Sequence, residues 1–319
     1  MILFSTLLIN VAIFAFLLVP GFIMGRKKLI ERGALVSMTN ILMYVAMPAL
    51  VLAKLLEIDV RALPLTDVIV CLVAPVPAVL LAFAAAVLLF RRKDERGAWR
   101  ASRFCSILPN CGFLGIPLAA ALFPDHPEVV LSVSLFNVVA TFLLLTFGVY
   151  ILSGDRKHVS LRRACISPIG IAIVLGVILS LVGVGQRVPH MVTYATYLAN
   201  LTTPLSMLVL GVELSRLRAT AMIKNPGLYL CALIKLVLMP LAMLLLVCVL
   251  SLCGLVLSES ARMGLFLATA VSTAASAPAM AQKYGADGEH AAALTLGTTL
   301  LCVVTLPALY AAVSSLGLL

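Results

Sequence analysis

The chain has 319 residues, of which 63% are hydrophobic and 11% charged, whereas soluble domains have roughly 45–50% apolar and about 25% charged residues. With a mean hydropathy of +1.16, this composition excludes a water-soluble globular protein and indicates a polytopic membrane protein. The net charge of +10 would also suit a nucleic-acid-binding protein, so the positions of the cations decide its meaning.

Ten apolar segments are each long enough to cross about 30 Å of hydrocarbon as a helix. These predicted spans 1 to 10 cover residues 2–25, 34–56, 66–90, 101–122, 127–152, 168–185, 191–214, 228–252, 262–282 and 290–315. They are apolar throughout, which does not fit the alternating strands of a membrane barrel. The sequence therefore predicts an all-α polytopic membrane protein with ten transmembrane helices.

The cations lie mainly on one side of these spans. Eighteen of the 23 Lys and Arg residues lie in or beside the connections that follow spans 1, 3, 5, 7 and 9, whereas Arg61, Arg187 and Arg262 lie on the other side. Cytoplasmic connections carry the excess of Lys and Arg, so both termini are expected outside the cytoplasm. The basicity then indicates orientation in a plasma membrane (the inner membrane of a bacterium), with the lipid bilayer as partner and no nucleic acid.

The connection over residues 153–167 divides the ten spans into two sets of five. Because five is odd, a duplicated second set inserts upside down, which predicts inverted repeats over residues 1–152 and 168–319. Proline pairs at similar offsets support this prediction: Pro48 and Pro204 are 156 residues apart, Pro77 and Pro240 are 163 apart, and Pro117 and Pro278 are 161 apart. The alternative is a chance match among prolines, which are common in membrane helices.

Span 4 contains the stretch SILPNCGFLGIP, residues 106–117, with two prolines, two glycines and an asparagine. Proline breaks helical hydrogen bonds, and freed backbone groups are costly in hydrocarbon unless protein, water or ligand satisfies them. The break is therefore expected at a cavity, with Pro109, Asn110, Cys111 and Gly112 as candidate substrate-binding residues. Asn110 would donate its amide and Gly112 would leave room. The alternative is a structural kink with a packing glycine.

Span 9 carries a counterpart, STAASAPAM, residues 272–280, in which Pro278 is expected to interrupt the helix. Ser272, Thr273 and Ser276 offer hydroxyl donors there. If both spans unwind and cross, the following helices present two N-termini, each with unpaired amides and about half a positive charge, to one point. A carboxylate is the ligand that this arrangement favours. Plain helix packing by Ser and Ala is the alternative for span 9.

Three ionisable residues within spans, Lys54, Asp67 and Lys235, are candidates for a coupling or support site. Lys54 and Asp67 are expected to pair, holding a proton or standing in for a bound cation, or Lys54 extends to the membrane surface instead. Lys235 is expected to pair within the bundle, to attract an anion or to change protonation during transport.

Three asparagines within spans, Asn40, Asn137 and Asn200, are expected either to line the cavity or to form interhelical hydrogen bonds. The eight cysteines have no metal-ligand spacing and are interpreted as small packing residues, so no metal and no cofactor is predicted. The sequence has no nucleophile paired with a base and no phosphate-binding glycine loop. These features exclude an enzyme and favour a carrier driven by gradients.

The sequence resembles the auxin efflux carrier family, which contains the plant PIN exporters and many bacterial organic-acid transporters. The resembling stretches are TNILMYVAMPALVLAKL, SILPNCGFLGIPLAAALFPD, TTPLSMLVLGVEL, LIKLVLMPLA and SAPAMAQKYGADGEHAAALTLGTTLLCVVTLP. The resemblance implies two inverted five-helix repeats, crossed broken helices in spans 4 and 9, and an elevator architecture similar to bile-acid sodium symporters. It also implies that Asn110 contacts the substrate carboxylate, that Pro278 marks the second crossover, and that Lys54 and Asp67 form a support site.

The resemblance implies a small mono- or dicarboxylate substrate such as malonate, malate or lactate. The motif here reads LPNCGF where plant PIN proteins have NPNTY, so the shared element is Pro-Asn. The sequence thus predicts an alternating-access carrier, either facilitative or coupled to H+ or Na+, and the resemblance is compatible with a homodimer. The alternatives are a sodium-coupled symporter of a bulkier amphipathic acid, an auxin-like weak-acid efflux carrier and, in a different class, a membrane sensor that binds a metabolite without moving it.

Overall fold

The computed structural model describes residues 13, 16–91, 97–159, 167–215 and 225–316, and this part of the chain is helical with no β-strand. The helices are α1 (Phe16–Arg26), α2 (Gly33–Glu57), α3 (Leu65–Leu89), α4 (Ala98–Ile107), α5 (Cys111–Leu122), α6 (Pro127–Ser153), α7 (Pro168–Leu181), α8 (Val184–Arg187), α9 (Pro189–Ser215), α10 (Pro226–Leu252), α11 (Glu259–Ala270), α12 (Ala277–Lys283) and α13 (Gly288–Ser315). Six of them, α2, α3, α6, α9, α10 and α13, are long and apolar enough to cross a membrane. The prediction of a polytopic all-α membrane protein is confirmed.

The helices follow the predicted spans closely, and spans 4 and 9 are each divided into two helices. Some predicted features lie outside the described residues. They are the start of span 1, residues 160–166 of the connection between the two sets of spans, Cys165, and the basic residues Arg92, Lys93, Arg96, Arg162, Arg163, Arg216, Arg218 and Lys224.

Three prolines follow a widened, π-helical turn instead of ending a helix. These turns cover Leu42–Ala46 before Pro48, Cys111–Gly115 before Pro117, and Leu233–Leu238 before Pro240. A proline ring clashes with the carbonyl four residues earlier, and a wider turn moves that carbonyl away. These prolines therefore shape α2, α5 and α10 without breaking them.

Helix α6 lies at the centre of the bundle and supports both divided spans. It contacts α2, α3, α5 and α11, and most of its first three turns are buried. The contact with α11 is close, since a methyl group at Gly264 would overlap the Cβ of Ser132. Because α5 and α11 both rest on α6, their ends are held at a fixed place inside the bundle.

Candidate functional site

Spans 4 and 9 are broken where they meet. Helix α4 ends at Ile107 and α11 ends at Ala270, and the next residues, Leu108 and Val271, are extended. Pro109 then forms an antiparallel backbone bridge with Thr273. The structure therefore interrupts both spans within the predicted stretches and brings the two breaks together, in a region called here the crossing (residues 108–110 and 271–276).

Most backbone groups freed by the two breaks satisfy each other. The Asn110 amide donates to the Ser272 carbonyl at 2.8 Å, and the Ala274 amide donates to the Leu108 carbonyl at 3.0 Å. The Thr273 hydroxyl donates to the carbonyl of Cys105, in the last turn of α4, at 2.7 Å. The two extended segments thus pair as a minimal sheet, which uses two of the amides near the crossing.

Unpaired donors remain at the N-terminus of α5. The Asn110 side chain is 3% exposed, and its Nδ2 atom has no hydrogen-bond partner among the described residues. The next amides, those of Gly112 and Phe113, also donate to no other residue that the structure describes. A buried donor without an acceptor costs about 1–3 kcal/mol, so an acceptor oxygen at this point would restore the missing bonds.

Two other helices face these donors. A methyl group at Gly112 would lie 3.7 Å from the Oδ1 atom of Asn137, on α6, and 3.7 Å from the Sδ atom of Met47, on α2. Asn137 is buried, so of the three candidate asparagines it is the one that lies at the crossing. Met47 was not predicted, since an apolar residue before Pro48 has no polar signal in the sequence.

A substitution at Gly112 tests whether a ligand binds at the N-terminus of α5. Replacing Gly112 with alanine should lower substrate affinity about tenfold, because the methyl group covers the unpaired amides of α5. It should leave the fold intact, since 3.7 Å is an ordinary contact distance for that methyl group. Gly33→Ala is the matched control, because a methyl group there meets nothing within 4 Å. Ligand-induced thermal shifts measure both variants, and equal affinity in the two would place the ligand elsewhere.

The hydroxyl candidates of span 9 all lie within the crossing and differ in the bonds that they make. The Ser272 Oγ atom accepts a hydrogen bond from Thr299 at 3.1 Å, and the Thr273 hydroxyl is used on Cys105. Ser276 is exposed. Among the described contacts, the Thr273 hydroxyl hydrogen is therefore already donated, whereas Ser272 only accepts.

Pro278 does not break span 9. It is the second residue of α12, after the extended segment has already ended, and proline is compatible with the first turn of a helix because its missing amide has no intrahelical acceptor there. The α12 N-terminus also differs from that of α5, since the Ala277 amide donates to the Ala274 carbonyl at 3.0 Å. Of the two N-termini expected at the crossing, that of α12 has its first amide bonded to its own segment, whereas the Gly112 and Phe113 amides of α5 remain unpaired among the described residues.

Asn40 and Asn200 differ from Asn137 in burial. Both side chains are exposed, Asn40 on α2 and Asn200 at a turn within α9. That they line the cavity stays a prediction.

Lys54 and Asp67 do not pair with each other. The Lys54 Nζ atom lies 2.7 Å from Glu57, one turn further along α2, and Asp67 accepts a hydrogen bond from the Ser258 amide at 3.3 Å. Asp67 lines a cavity of about 320 Å³ together with Asp59 and Glu128. This cavity is formed by the 58–64 connection, α3, α6 and the start of α11, and its lining residues do not include those of the crossing.

Lys235 lies at the end of α11, beside the crossing. It is on the π-helical turn of α10 and is 0% exposed, and its ammonium donates to the Thr269 carbonyl at 2.7 Å. The neighbouring carbonyls of α11 also have donors, since the Cys111 thiol lies 3.2 Å from the Ala268 oxygen and the Cys302 thiol 3.5 Å from the Ala270 oxygen. Such contacts are not predictable from sequence, because every residue carries the carbonyl acceptor.

Two sequence comparisons relate the chain to known proteins. A family model described as "Membrane transport protein" matches residues 6–159 and 156–310. A protein of Methanocaldococcus jannaschii described as uncharacterized transporter MJ1031 is 29% identical over 189 residues, which cover 56% of this chain and 59% of the relative. The alignment therefore spans little more than half the length of either protein.

Proposed function

The chain belongs to the membrane transport protein family, which is the auxin efflux carrier family, and from this premise we propose that it is a secondary carrier of a small organic anion. Membership confirms the resemblance seen in the sequence and is consistent with a protein that is not an enzyme. The proposed substrate is a mono- or dicarboxylate such as malonate, malate or lactate. Its carboxylate binds at the crossing, to the Asn110 side chain and the N-terminus of α5.

The unpaired Asn110 amide is the observation that carries this proposal. Its Nδ2 atom is buried and has no acceptor among the described residues, although buried polar groups are almost always paired. A carboxylate oxygen is a strong acceptor for such a donor, and the positive end of α5 favours an anion at the same point. The amides of Gly112 and Phe113 supply further donors to the second oxygen.

The crossing is also a suitable substrate position for an alternating-access carrier. In carriers built from repeats, the substrate lies at the membrane centre between discontinuous helices, and one part of the protein moves against the other around it. We assign the moving part to the pairs α4–α5 and α11–α12, which the bridge between Pro109 and Thr273 joins into one unit. Repeats over residues 1–152 and 168–319, a location in the plasma membrane and termini outside the cytoplasm complete the proposal, with lipid as partner and a homodimer as its assembly.

Counterflow of labelled malonate in proteoliposomes tests the proposed function. We expect saturable exchange that unlabelled malonate, malate or lactate inhibits and dimethyl malonate does not, because the neutral ester has no carboxylate to bind. Empty liposomes prepared in parallel are the control. Absence of exchange for every carboxylate tested would contradict the carrier, and ligand-induced stabilisation without exchange would indicate a metabolite sensor.

The same vesicles distinguish the coupling ion and the rival substrate class. Uptake is compared in sodium and choline media of equal ionic strength, and with and without an imposed pH gradient. Sodium-dependent uptake of a bile acid in place of malonate would indicate the symporter of a bulkier amphipathic acid. A response to the pH gradient alone would assign H+ as the coupling ion.

A further inference from the structure

The C-terminal end of α11 stops inside the protein, where water does not satisfy its last carbonyls. Such an end carries unpaired carbonyls and about half a negative charge. The Ala268, Thr269 and Ala270 carbonyls each receive one side-chain donor, and those donors come from α5, α10 and α13. Two are neutral thiols, and the third is the ammonium of Lys235. The structure thus places the side-chain amine of a lysine, a group that can carry a full positive charge, at this helix end.

No ion pair accounts for the position of Lys235. Within the described residues, the ammonium has no carboxylate within 4 Å, and its described partners are the Thr269 carbonyl and the Met239 sulfur at 3.4 Å. Lys54 shows the ordinary alternative, since it is partly exposed and paired with Glu57. A buried charge is costly unless it is compensated, and the compensation available to Lys235 is the negative end of α11.

Backbone carbonyls at the end of a half-helix are also the ligands that bind Na+ in many secondary carriers. An ammonium that donates to Thr269 at 2.7 Å occupies the position that such a cation would take at this helix end. A second cation beside it would be repelled, because two unit charges about 4 Å apart interact strongly in a protein interior.

We propose that Lys235 is a tethered cation that replaces a coupling sodium ion at the end of α11 and adds its positive charge to the anion site. The connection to that site is short: Ala268, which precedes the Lys235 partner Thr269, bonds to Cys111, the residue after Asn110. The effect on the anion rests on the proposed function, whereas the replacement of sodium does not. Lys235 acts through the crossing and is a positioning residue.

The first test measures stability without any substrate. Melting temperatures of the wild type, Lys235→Ala and Lys54→Ala are compared in sodium and choline chloride at equal ionic strength, with and without ethylammonium or ethanol. We expect the wild type and Lys54→Ala to have the same melting temperature in sodium chloride as in choline chloride. Lys235→Ala should melt lower in choline and be restored by sodium and by ethylammonium, but not by ethanol. A wild type stabilised by sodium, or a Lys235→Ala variant indifferent to all these cations, would overturn the proposal.

The second test measures malonate affinity in the same proteins. Lys235→Ala should bind malonate about tenfold more weakly in choline, and its affinity should recover with added sodium, which a residue with a purely structural role would not cause. If Lys235→Ala does not fold, Lys235→Met and Lys235→Arg are compared instead. The neutral Met variant should bind malonate weakly, and the cationic Arg variant should bind it with nearly wild-type affinity. Equal malonate affinity in Lys235→Met and Lys235→Arg would also overturn the proposal. Failure of the proposed function would appear separately, as a wild type that neither binds nor exchanges malonate while the stability results stand.

Discussion

Replacing Asn110 with aspartate should lower the affinity for malonate about a hundredfold or more, and replacing it with alanine should lower it about tenfold. Alanine removes one hydrogen bond to a charged oxygen, worth about 1.5–3 kcal/mol, and each 1.4 kcal/mol corresponds to about tenfold in affinity. Aspartate removes the same donor and adds an acceptor that repels the carboxylate. Equilibrium binding to the purified protein and counterflow in proteoliposomes measure both variants.

Asn200 provides the matched control for this prediction, because it is also an asparagine within a predicted span, but its side chain is exposed whereas that of Asn110 is buried. Asn200→Asp and Asn200→Ala should bind malonate as the wild type does. If the Asn110 variants kept wild-type affinity, the unpaired amide would not be a ligand contact. If Asn110→Asp bound malonate more tightly than Asn110→Ala, the predicted repulsion between residue 110 and the carboxylate would be contradicted.

Thr273→Val should destabilise the protein by about 1–3 kcal/mol, because it leaves the buried Cys105 carbonyl without the hydroxyl that satisfies it. Valine has nearly the same shape as threonine, so packing changes little. The crossing depends on this contact, as the Thr273 hydroxyl is the side-chain donor that ties the span 9 break to α4. A lower melting temperature, by a few degrees, is the expected observation in a scan of the purified protein.

Thr202→Val is the control for this effect. Thr202 is also fully buried, but its hydroxyl has no hydrogen-bond partner among the described residues, so valine should be neutral or stabilising there. Equal destabilisation by the two substitutions would show that the loss comes from packing and not from the bond to Cys105. A Thr273→Val variant as stable as the wild type would mean that the crossing does not need this bond.

The sequence was informative about where the bundle breaks, because proline, glycine and asparagine change the backbone through local chemistry. The Pro109–Asn110 break follows from that chemistry, and so does the counterpart in STAASAPAM. The prediction that Pro278 interrupts the helix of span 9 was wrong. The sequence cannot distinguish a proline that ends one helix from a proline in the first turn of the next, and the structure places Pro278 in the first turn of α12.

The partners of polar side chains were harder to predict. Asn40, Asn137 and Asn200 look equivalent in the sequence, and their separation depends on which helix face packs inward, which only the tertiary structure decides. Lys54 was expected to reach Asp67, but Glu57 lies one turn away on the same helix and is nearer. For Lys235 the partner is a backbone carbonyl, which has no signature in the sequence.

A structure of the protein with bound malonate tests the central claim most directly. The account predicts ligand density at the crossing, with a carboxylate oxygen within hydrogen-bond distance of the Asn110 Nδ2 atom and facing the amides of Gly112 and Phe113. Malonate bound instead in the cavity lined by Asp59, Asp67 and Glu128, with the Asn110 amide still unpaired, would contradict it.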